Sequence, residues 1–398
     1  MKKILFIVID GLGDKPVSQL GNKTPLEAAK TPNLDKLAEK GKCGLVEPVF
    51  HTAIPTSEEG HFSLFGYNAK VYSVRRGYFT ATGAGMKMKK GDIALRGNFG
   101  TVDESFNMVD RRAGRIKKTQ PLIDSLNEMQ IEGVKFLIKA AGGHRIGIIM
   151  RGKNLSSQIS DGDPHYGKLG KKAQKIVPLE KTPQAKFTAK VLNEFLQKSS
   201  RILKNHPLNE KRKKHGLLPA NYILTRGASP LVKLPSFKKK YGLRACCIAG
   251  KALYRQIGEV LGMDLIKVKG ADGSPKTNLR GKIQAVLSSL KKYDFIFLHI
   301  KAADSLAEDG NFRGKRDFIE KIDKHLWPLM GLKNILITVT ADHSTCCVLK
   351  RHCAEPIPLL IYGRGSDKVK MFSEKTCKKG RVGKINQLKL MSILLNSC

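Results

Sequence analysis

The sequence predicts an α/β protein whose core is a mainly parallel sheet flanked by helices, with a smaller α+β domain inserted into it. Three apolar runs rich in β-branched residues, 4–10, 293–304 and 335–343, each reach an Asp. Continuous apolar runs of this length are typical of strands buried on both faces of a parallel sheet. Helical patterns over 31–41 and 314–330 separate such runs, as strand–helix–strand units require.

The middle of the chain has a different character and predicts the inserted domain. From 74 to 231 it is rich in Gly and basic residues, and the strand–helix pattern resumes near 242–250. We therefore predict that 74–231 forms the insertion and that 1–73 with 232–398 forms the core. Ligands of open parallel sheets bind at the carboxyl ends of the strands, so we look for the site there.

Composition indicates a globular, water-soluble chain. Its 398 residues are 41% apolar and 27% charged, enough for a full hydrophobic core. Because no run of 18 apolar residues exists, and because the apolar stretch 4–9 is too short for a signal peptide, we expect a cytoplasmic protein without a membrane span. The eight cysteines lack a C-x-x-C spacing, and we expect reduced, buried thiols rather than a disulfide framework.

The net charge of +38 is compatible with a nucleic-acid partner. The basic residues are spread over the whole chain, however, with short clusters at 211–215 and 237–240, and only 7% of residues are aromatic. The interleaved aromatic and basic pattern of a single-strand binder is missing. We therefore favour a generally basic surface, which would draw small anions towards a cleft, and the sequence leaves the oligomeric state open.

Polar residues at the predicted strand ends indicate a metal site. Asp10, Asp304, Asp342 and His343 all fall there, and His352 follows nine residues after His343. Carboxylates favour Mg or Mn, whereas imidazoles favour Zn or Mn. One such Asp alone is more often a loop cap, but three at one edge of a sheet indicate a site for two divalent cations.

The stretch AIPTSEEGHFSLFGY (53–67) predicts an amphipathic helix that starts with a capping box of Thr56 and Glu59. Ser57 therefore has two interpretations, an ordinary residue of the helix start or a nucleophile at a helix N-terminus. A cation lowers the pKa of a bound hydroxyl, and helix amides favour a phosphate at this place. Together with the candidate ligands, this favours the nucleophile, whereas His61 on the same helix face is expected to serve core packing.

Seven ordered motifs carry a family resemblance: VIDGLGD (8–14), IPTSEEGHFSLFGY (54–67), DRRAGRI (110–116), ISDGDPH (159–165), FLHIKAADSLAEDGN (297–311), IEKID (319–323), and TADHST (340–345) with HCAEPIPLLI (352–361). They resemble the archaeal-type cofactor-independent phosphoglycerate mutases of the alkaline phosphatase superfamily. The resemblance implies an alkaline-phosphatase-like core. It also implies an isomerase of glycolysis and gluconeogenesis that interconverts 3-phosphoglycerate and 2-phosphoglycerate through a phosphoserine, with two metal ions and without bisphosphoglycerate.

The resemblance also implies roles for individual residues. Ser57 would be the phosphorylated nucleophile, and the first cation would be held by Asp10, Ser57, Asp342 and His343. The second would be held by Asp304, His352 and Glu308, where the family has a His in place of Glu308. A carboxylate at this position favours Mn or Mg, with Zn still possible, and Asp309 is an alternative ligand. The chain also differs from the family at Glu58 and Thr80.

The inserted domain would bind the substrate carboxylate and hydroxyl, because arginine forms bidentate hydrogen bonds with a planar carboxylate. The resemblance points to twelve residues for substrate binding, eleven in the insertion and the last in the core: Asp110, Arg111, Arg112, Arg115, His144, Arg145, Arg151, Asp161, Asp163, His165, Arg226 and Lys251. A solvated basic turn and a simple Asp-rich turn are the alternative interpretations of the two densest clusters. His144 and His165 are candidates for proton transfer at the glycerate hydroxyls.

Two other functions stay open at this point. A metal-dependent phosphatase or phosphotransferase acting on another small phosphorylated hydroxy acid would keep the same core, since one fold hosts several reactions. A non-catalytic binder of anions or nucleic acid would keep only the fold. The complete set of candidate ligands argues against the binder, and release of free phosphate would distinguish a phosphatase from a mutase.

Overall fold

The structure, a computed structural model, describes residues 3–48, 56–68, 71–72, 75–164 and 172–396. The chain divides into two compact units. The core unit comprises Met1–Ala69 and Leu234–Cys398, and the inserted unit comprises Lys70–Lys233. The inserted unit thus extends a few residues beyond each limit of the predicted insertion.

Strands and helices are numbered along the chain. The strands are β1 (Lys3–Ile9), β2 (Gly41–Glu47), β3 (Ile93–Val102), β4 (Met108–Asp110), β5 (Gln130–Ile131), β6 (Val134–Ala140), β7 (Arg145–Arg151), β8 (Tyr222–Pro230), β9 (Ala245–Ile248), β10 (Asp264–Leu265), β11 (Phe295–Ile300), β12 (Ile335–Thr340), β13 (Ser344–Cys346), β14 (Arg351–Cys353), β15 (Ile357–Tyr362) and β16 (Gly383–Asn386). The helices are α1 (Pro25–Ala28), α2 (Pro32–Glu39), α3 (Ser57–Leu64), α4 (Arg76–Gly83), α5 (Gln120–Asp124), α6 (Pro183–Lys204), α7 (Pro207–Lys214), α8 (Phe237–Tyr241), α9 (Ala252–Val260), α10 (Leu279–Ser289), α11 (Ala302–Glu308), α12 (Phe312–Leu326), α13 (Glu374–Cys377) and α14 (Leu390–Leu395). None of these helices, within the described part of the chain, has the length and apolar character needed to cross a membrane.

The core unit is built on one sheet of eight strands in the order β10-β9-β11-β1-β12-β15-β2-β16. Only β15 pairs antiparallel with its neighbours, and the other pairings in this sheet are parallel. The three adjacent strands β11, β1 and β12 are buried along their whole length apart from Lys3. The predicted α/β class with a mainly parallel sheet is therefore confirmed.

The carboxyl ends of β1, β11 and β12 lie at one edge of this sheet because the three strands are parallel. Asp10 follows β1 directly and Asp342 follows β12 after one residue, as predicted. The prediction was wrong for Asp304, which lies in the first turn of α11 rather than at the end of a strand. The apolar run 293–304 contains both elements, since Ala302 and its neighbour are strong helix formers that continue the apolar character of β11.

The two helices predicted from periodicity are confirmed with shifted ends. The pattern over 31–41 corresponds to α2, and the pattern over 314–330 corresponds to α12 followed by a 3-10 turn at Trp327–Leu329. Asn311 caps α12 by accepting the N–H of Gly314.

A short antiparallel hairpin of β13 and β14 follows Asp342 and His343 in the chain, and Thr345 pairs with His352 across it. A disulfide between Cys346 and Cys353 closes this hairpin. The prediction of reduced thiols throughout was wrong here, because the hairpin brings two Cα atoms to 5.9 Å, within the range of a bridge. The free cysteines of the described chain are all buried, as predicted: Cys43, Cys246, Cys247, Cys347 and Cys377.

The inserted unit contains a second sheet of antiparallel strands in the order β4-β3-β7-β6-β5, with β8 also pairing with β3. The long helix α6 packs on it, and the rings of Phe136 and Phe195 stack with their centroids 4.0 Å apart. This unit has its own hydrophobic core and is of the predicted α+β type.

Candidate active site

Helix α3 presents Ser57 as its first residue. The Thr56 hydroxyl accepts the N–H of Glu59 at 3.4 Å, and the Glu59 carboxylate accepts the N–H of Thr56 at 2.8 Å, so the predicted capping box is confirmed. Because Thr56 forms the cap, the hydroxyl of Ser57 is available for another contact. Its Oγ lies 3.4 Å from Nε2 of His343.

Two glycines allow the segments of the site to approach each other. A Cβ on Gly60 of α3 would lie 2.5 Å from the carbonyl oxygen of Asp342, and a Cβ on Gly11 would lie 2.6 Å from Oγ1 of Thr345. Gly11 also has a φ of +66°, which other residues rarely adopt. The glycines of the GLGD and EGH segments therefore bring α3 and the loop after β1 against the segment 342–345.

The first cluster of candidate ligands consists of Asp10, Asp342 and His343, whose donor atoms all lie within 4.8 Å of one another. Nε2 of His343 is 3.1 Å from Oδ2 of Asp342 and 3.6 Å from Oδ1 of Asp10. All three side chains are buried. The structure thus brings together the predicted first ligand set, with Ser57 beside it.

The second cluster consists of Asp304, His343 and His352. Nε2 of His352 lies 3.5 Å from Oδ1 of Asp304, and the His343 and His352 rings stack with centroids 3.6 Å apart. His343 therefore belongs to both clusters, whereas the sequence assigned it only to the first.

Thr345 orients two of these ligands. Its Oγ1 donates to Oδ1 of Asp304 at 2.6 Å, and Nδ1 of His343 lies 3.1 Å from the same hydroxyl. Because the hydroxyl proton goes to the carboxylate, Nδ1 of His343 is the donor to Thr345 and Nε2 is directed towards Ser57 and Asp342. Such outer contacts fix the tautomer and orientation of a ligating imidazole. Sequence reasoning missed Thr345, although it stands two residues after His343.

Lys301 brings a positive charge among the carboxylates. Its Nζ lies 3.1 Å from Oδ1 of Asp10 and also forms an ion pair with Oδ2 of Asp304. Burial disfavours the charged ammonium, but Asp10, Tyr254 and Asp304 outweigh it and raise the pKa of Lys301. Sequence reasoning missed this residue as well. The local signal for it is a lysine that stands three residues before Asp304, directly before α11 begins.

Two further histidines contact the first cluster. Nε2 of His299 donates to Oδ2 of Asp10 at 3.0 Å, and burial lowers the pKa of His299 to about 3, so its ring is neutral. His61, expected to serve core packing, is buried beside Tyr254 but also donates from Nδ1 to the carbonyl of Ser57 at 2.7 Å. The same nitrogen lies 3.2 Å from Oδ2 of Asp342.

The charges of the first cluster follow from these contacts. Burial disfavours the Asp342 carboxylate, but His343 and His61 outweigh burial and hold the pKa of Asp342 well below its usual range. Burial likewise disfavours a charged His343, but Asp342 and Asp10 raise its pKa to about 9. The Asp342 carboxylate thus strongly favours a positive charge at the position of the His343 proton, and a divalent cation that displaces this proton would supply the same charge balance.

The residues present fit divalent cations. Oδ1 of Asp342 is buried and accepts no hydrogen bond from the described residues, which is costly for a carboxylate unless a cation occupies that side. The donors are carboxylate oxygens and imidazole nitrogens, which suit Mn, Mg and Zn. Glu308 ends α11 outside both clusters, and partial burial and nearby Asp304 raise its pKa, so its role as a ligand stays a prediction.

In the inserted unit, Arg111 and Asp163 form a bidentate pair. Nε and Nη2 of Arg111 donate to the Asp163 carboxylate over distances of 2.7 to 2.9 Å, and Asp163 is fully buried. Nε of Arg226 lies 4.0 Å from Oδ2 of Asp163. Asp161 accepts the N–H of Gly227 at 2.8 Å, one residue after Arg226. The predicted Asp-rich segment therefore holds two of the predicted arginines.

A second basic group surrounds His144. Burial, followed by the charges of Arg145, Arg112 and Arg96, lowers the pKa of His144 to about 4. Asp110 stabilises the turn that contains Arg112, because its carboxylate accepts the N–H of Arg112 at 2.6 Å. Arg96, on β3, was missed because one basic residue in so basic a chain carries no signal.

The remaining predicted substrate residues lie elsewhere. Arg151 pairs with Asp92 at the opposite end of β7 from Arg145, about 20 Å away for a strand of this length. Arg115 is exposed and belongs to the same turn as Arg112. Lys251 is in the core unit and directly precedes α9. His165 lies outside the described residues.

Comparisons with known proteins cover the whole chain. Residues 2–397 match the family model of the Metalloenzyme superfamily. The 2,3-bisphosphoglycerate-independent phosphoglycerate mutase 1 of Archaeoglobus fulgidus is 43% identical over 99% of this chain and 97% of its own length. The enzyme of the same name from Methanocaldococcus jannaschii is 41% identical, again over 99% of this chain and 97% of its own length.

Two solved structures are similar along their full length. The cofactor-independent phosphoglycerate mutase of Thermoplasma acidophilum is 36% identical with a TM-score of 0.70, covering 100% of this chain and 99% of that one. A protein from Pyrococcus horikoshii is 32% identical with a TM-score of 0.82, covering 100% of this chain and 98% of that one.

Proposed function

Because the chain belongs to the Metalloenzyme superfamily and, within it, to the 2,3-bisphosphoglycerate-independent phosphoglycerate mutases, we propose that it interconverts 3-phosphoglycerate and 2-phosphoglycerate through a phosphorylated Ser57. The family predicted from the seven motifs is thereby confirmed. The observation that carries the proposal is the position of Ser57, whose Oγ lies at the start of α3 and 3.4 Å from His343. The reaction would take place in the cytoplasm as a step of glycolysis and gluconeogenesis.

Two divalent cations belong to this proposal. We assign one to the first cluster with Ser57 and the other to the second cluster, completed by Glu308. Such cations, when bound, lower the pKa of the serine hydroxyl and neutralise the charge of a phosphoryl group. The three carboxylates Asp10, Asp304 and Asp342 favour Mn or Mg over Zn.

Ser57 acts as the nucleophile in both directions. Its Oγ attacks phosphorus, a new Oγ–P bond forms, and the bond from phosphorus to the 3-oxygen of glycerate breaks. The serine proton passes to this leaving oxygen. The 2-hydroxyl of the same glycerate then attacks the phosphoserine, the Oγ–P bond breaks, and the proton of the 2-hydroxyl restores the serine hydroxyl, so atoms balance without a bisphosphoglycerate cofactor. The N-terminal amides of α3 favour the phosphate, because their partial positive charge points towards it.

The inserted unit supplies the residues for the glycerate part. We assign the substrate carboxylate to its arginines, of which Arg112 and Arg145 lie close enough to His144 to lower its pKa. A neutral His144 at pH 7 can accept the proton of the attacking 2-hydroxyl and release it again as the serine hydroxyl is restored. Arg111 and Arg226 are held in place by Asp163, and such pre-orientation lowers the entropic cost of binding a substrate.

The test follows both possible products in one tube. The chain is incubated with 3-phosphoglycerate and Mn²⁺ without bisphosphoglycerate, and 2-phosphoglycerate and free phosphate are measured together. Ser57→Ala is expected to abolish isomer formation. Ser63→Ala changes another buried serine of the same helix and is expected to leave the rate unchanged.

Each outcome distinguishes the candidate functions. Isomer without free phosphate, lost only in Ser57→Ala, supports the mutase. Phosphate without isomer indicates a phosphatase of the same superfamily instead. Acid quenching followed by mass spectrometry is expected to find the phosphoryl group on Ser57, and its presence on any other residue would contradict the proposed nucleophile.

A further inference from the structure

The hairpin of β13 and β14 determines the geometry of the second cluster. Thr345 and His352 face each other across its two strands. Thr345 donates to Asp304 at 2.6 Å, and His352 lies 3.5 Å from the same oxygen. A shift of the hairpin would therefore move two contacts of Asp304 at once.

A buried lysine of α12 holds this hairpin. Lys315 is 0% exposed, and its Nζ donates to the carbonyl oxygen of Thr345 at 3.0 Å and to that of Gly13 at 3.2 Å. It also donates to Oδ2 of Asp14 at 2.9 Å. The three donors of the ammonium group are thus all used. They join α12 to the Gly13–Asp14 segment and to Thr345 of the hairpin.

Asp14 also contacts the hairpin directly. Its Oδ1 accepts the N–H of Cys347 at 3.0 Å and the N–H of Lys15 at 2.8 Å. Asp14 and Lys315 therefore link the middle of β13 and the residue that follows this strand to the loop that starts at Asp10. A buried ion pair contributes little net stability compared with apolar side chains of the same volume, so its effect here is on position.

We propose that the Lys315–Asp14 pair is a positioning device that fixes the β13–β14 hairpin and thereby sets the affinity of the Asp304–His343–His352 cluster for a divalent cation. The inference rests on the proposed role of these three residues as ligands. Neither Lys315 nor Asp14 belongs to a ligand cluster, so both act through Thr345 and the hairpin. Outer contacts of this kind typically change metal affinity by a factor of 10 to 100.

The test measures cation binding directly. Mn²⁺ alone is titrated by calorimetry into the full-length chain, without substrate. Lys315→Met is expected to weaken one of two binding events about 10-fold to 100-fold, because the hairpin loses its hydrogen bond from Lys315 and Asp14 loses its ion pair. The thermal midpoint of each protein is recorded in parallel.

A matched control separates position from stability. Asp323 is buried on the same helix and accepts the N–H of Leu34 at 2.7 Å, away from the hairpin. Asp323→Asn is expected to lower the thermal midpoint while Mn²⁺ affinity stays unchanged. If Lys315→Met does not fold, the double variant with Asp14→Asn removes both buried charges and is expected to show the same weakened binding.

Wild-type affinity in the folded Lys315 variant would overturn the inference, and so would an equal loss in Asp323→Asn. A wild-type chain with no Mn²⁺ binding would overturn both this inference and the proposed ligands. A chain that binds two Mn²⁺ ions but lacks mutase activity would contradict only the proposed function.

Discussion

Glu374 is expected to make the stability of the core unit depend on pH around neutrality. It is the first residue of α13, and its carboxylate accepts the N–H of Asp14 at 3.2 Å and the hydroxyl of Thr24 at 2.8 Å. Burial raises the pKa of Glu374 from 4.5 to about 7, against the opposing effects of its hydrogen bonds and of Lys315, while Glu27 adds to the increase. The folded chain therefore favours the protonated carboxyl.

The sign and size of the effect follow from linkage. Because the folded pKa is raised, the contribution of Glu374 to stability is fully present below pH 4.5 and is lost as the pH rises through 7. At about 1.4 kcal/mol for each pH unit, the difference between the two pKa values corresponds to about 3 kcal/mol. Most of this loss falls between pH 5 and pH 8.

The assay compares urea unfolding of the wild type and Glu374→Gln across that range. Glutamine keeps an acceptor but cannot ionise, so the variant is expected to gain about 2 to 3 kcal/mol relative to the wild type between pH 5 and pH 8.5. Glu39→Gln changes an exposed carboxyl of the same unit and should follow the wild type throughout. A constant difference between wild type and Glu374→Gln at all pH values would refute the reasoning.

Three further predictions concern the Arg111–Asp163 pair, the disulfide and Glu308. Asp163→Asn leaves Arg111 without its carboxylate and is expected to lower the free energy of unfolding in urea by about 3 kcal/mol. It is also expected to raise the KM for 3-phosphoglycerate, and an unchanged KM would show that the pair does not contribute to substrate binding. Cys346→Ser opens a loop with a sequence separation of 7 and is expected to lower the unfolding free energy by about 2.5 kcal/mol, a loss that dithiothreitol should reproduce in the wild type and should not add to in the variant. Glu308→Ala is expected to weaken Mn²⁺ binding about tenfold in calorimetry, and an unaltered isotherm would remove Glu308 from the ligand set.

The sheet edge could be predicted from the sequence because the signals for it are local. Strands β1, β11 and β12 are mainly apolar, and Asp10 and Asp342 follow two of them within two residues. The limit of this reasoning is visible at Asp304. An apolar run alone does not show where a buried strand becomes a buried helix, since both need the same residue types.

The contacts that tune the site could not be predicted, because they join distant parts of the chain. His299 and Lys301 contact Asp10 across separations of 289 and 291 residues. Their partner depends on the order of strands in the sheet, in which β11 lies beside β1. The disulfide of the hairpin was missed for a different reason, since its formation depends on a tight turn that the sequence does not mark.

Charged residues on the apolar face of a helix are the signal that would have extended the prediction. The buried residues of α12 are Lys315, Phe318, Ile319, Ile322, Asp323 and Leu326, which is the spacing of a single helix face. Two of these six are charged, and a buried charge needs a partner. Asp323 accepts the N–H groups of Asn33 and Leu34 at the start of α2, and Lys315 donates to Asp14 beside the site. The same periodicity that predicts the helix therefore also predicts which of its residues must hold other segments in place, although the identity of those segments requires the structure.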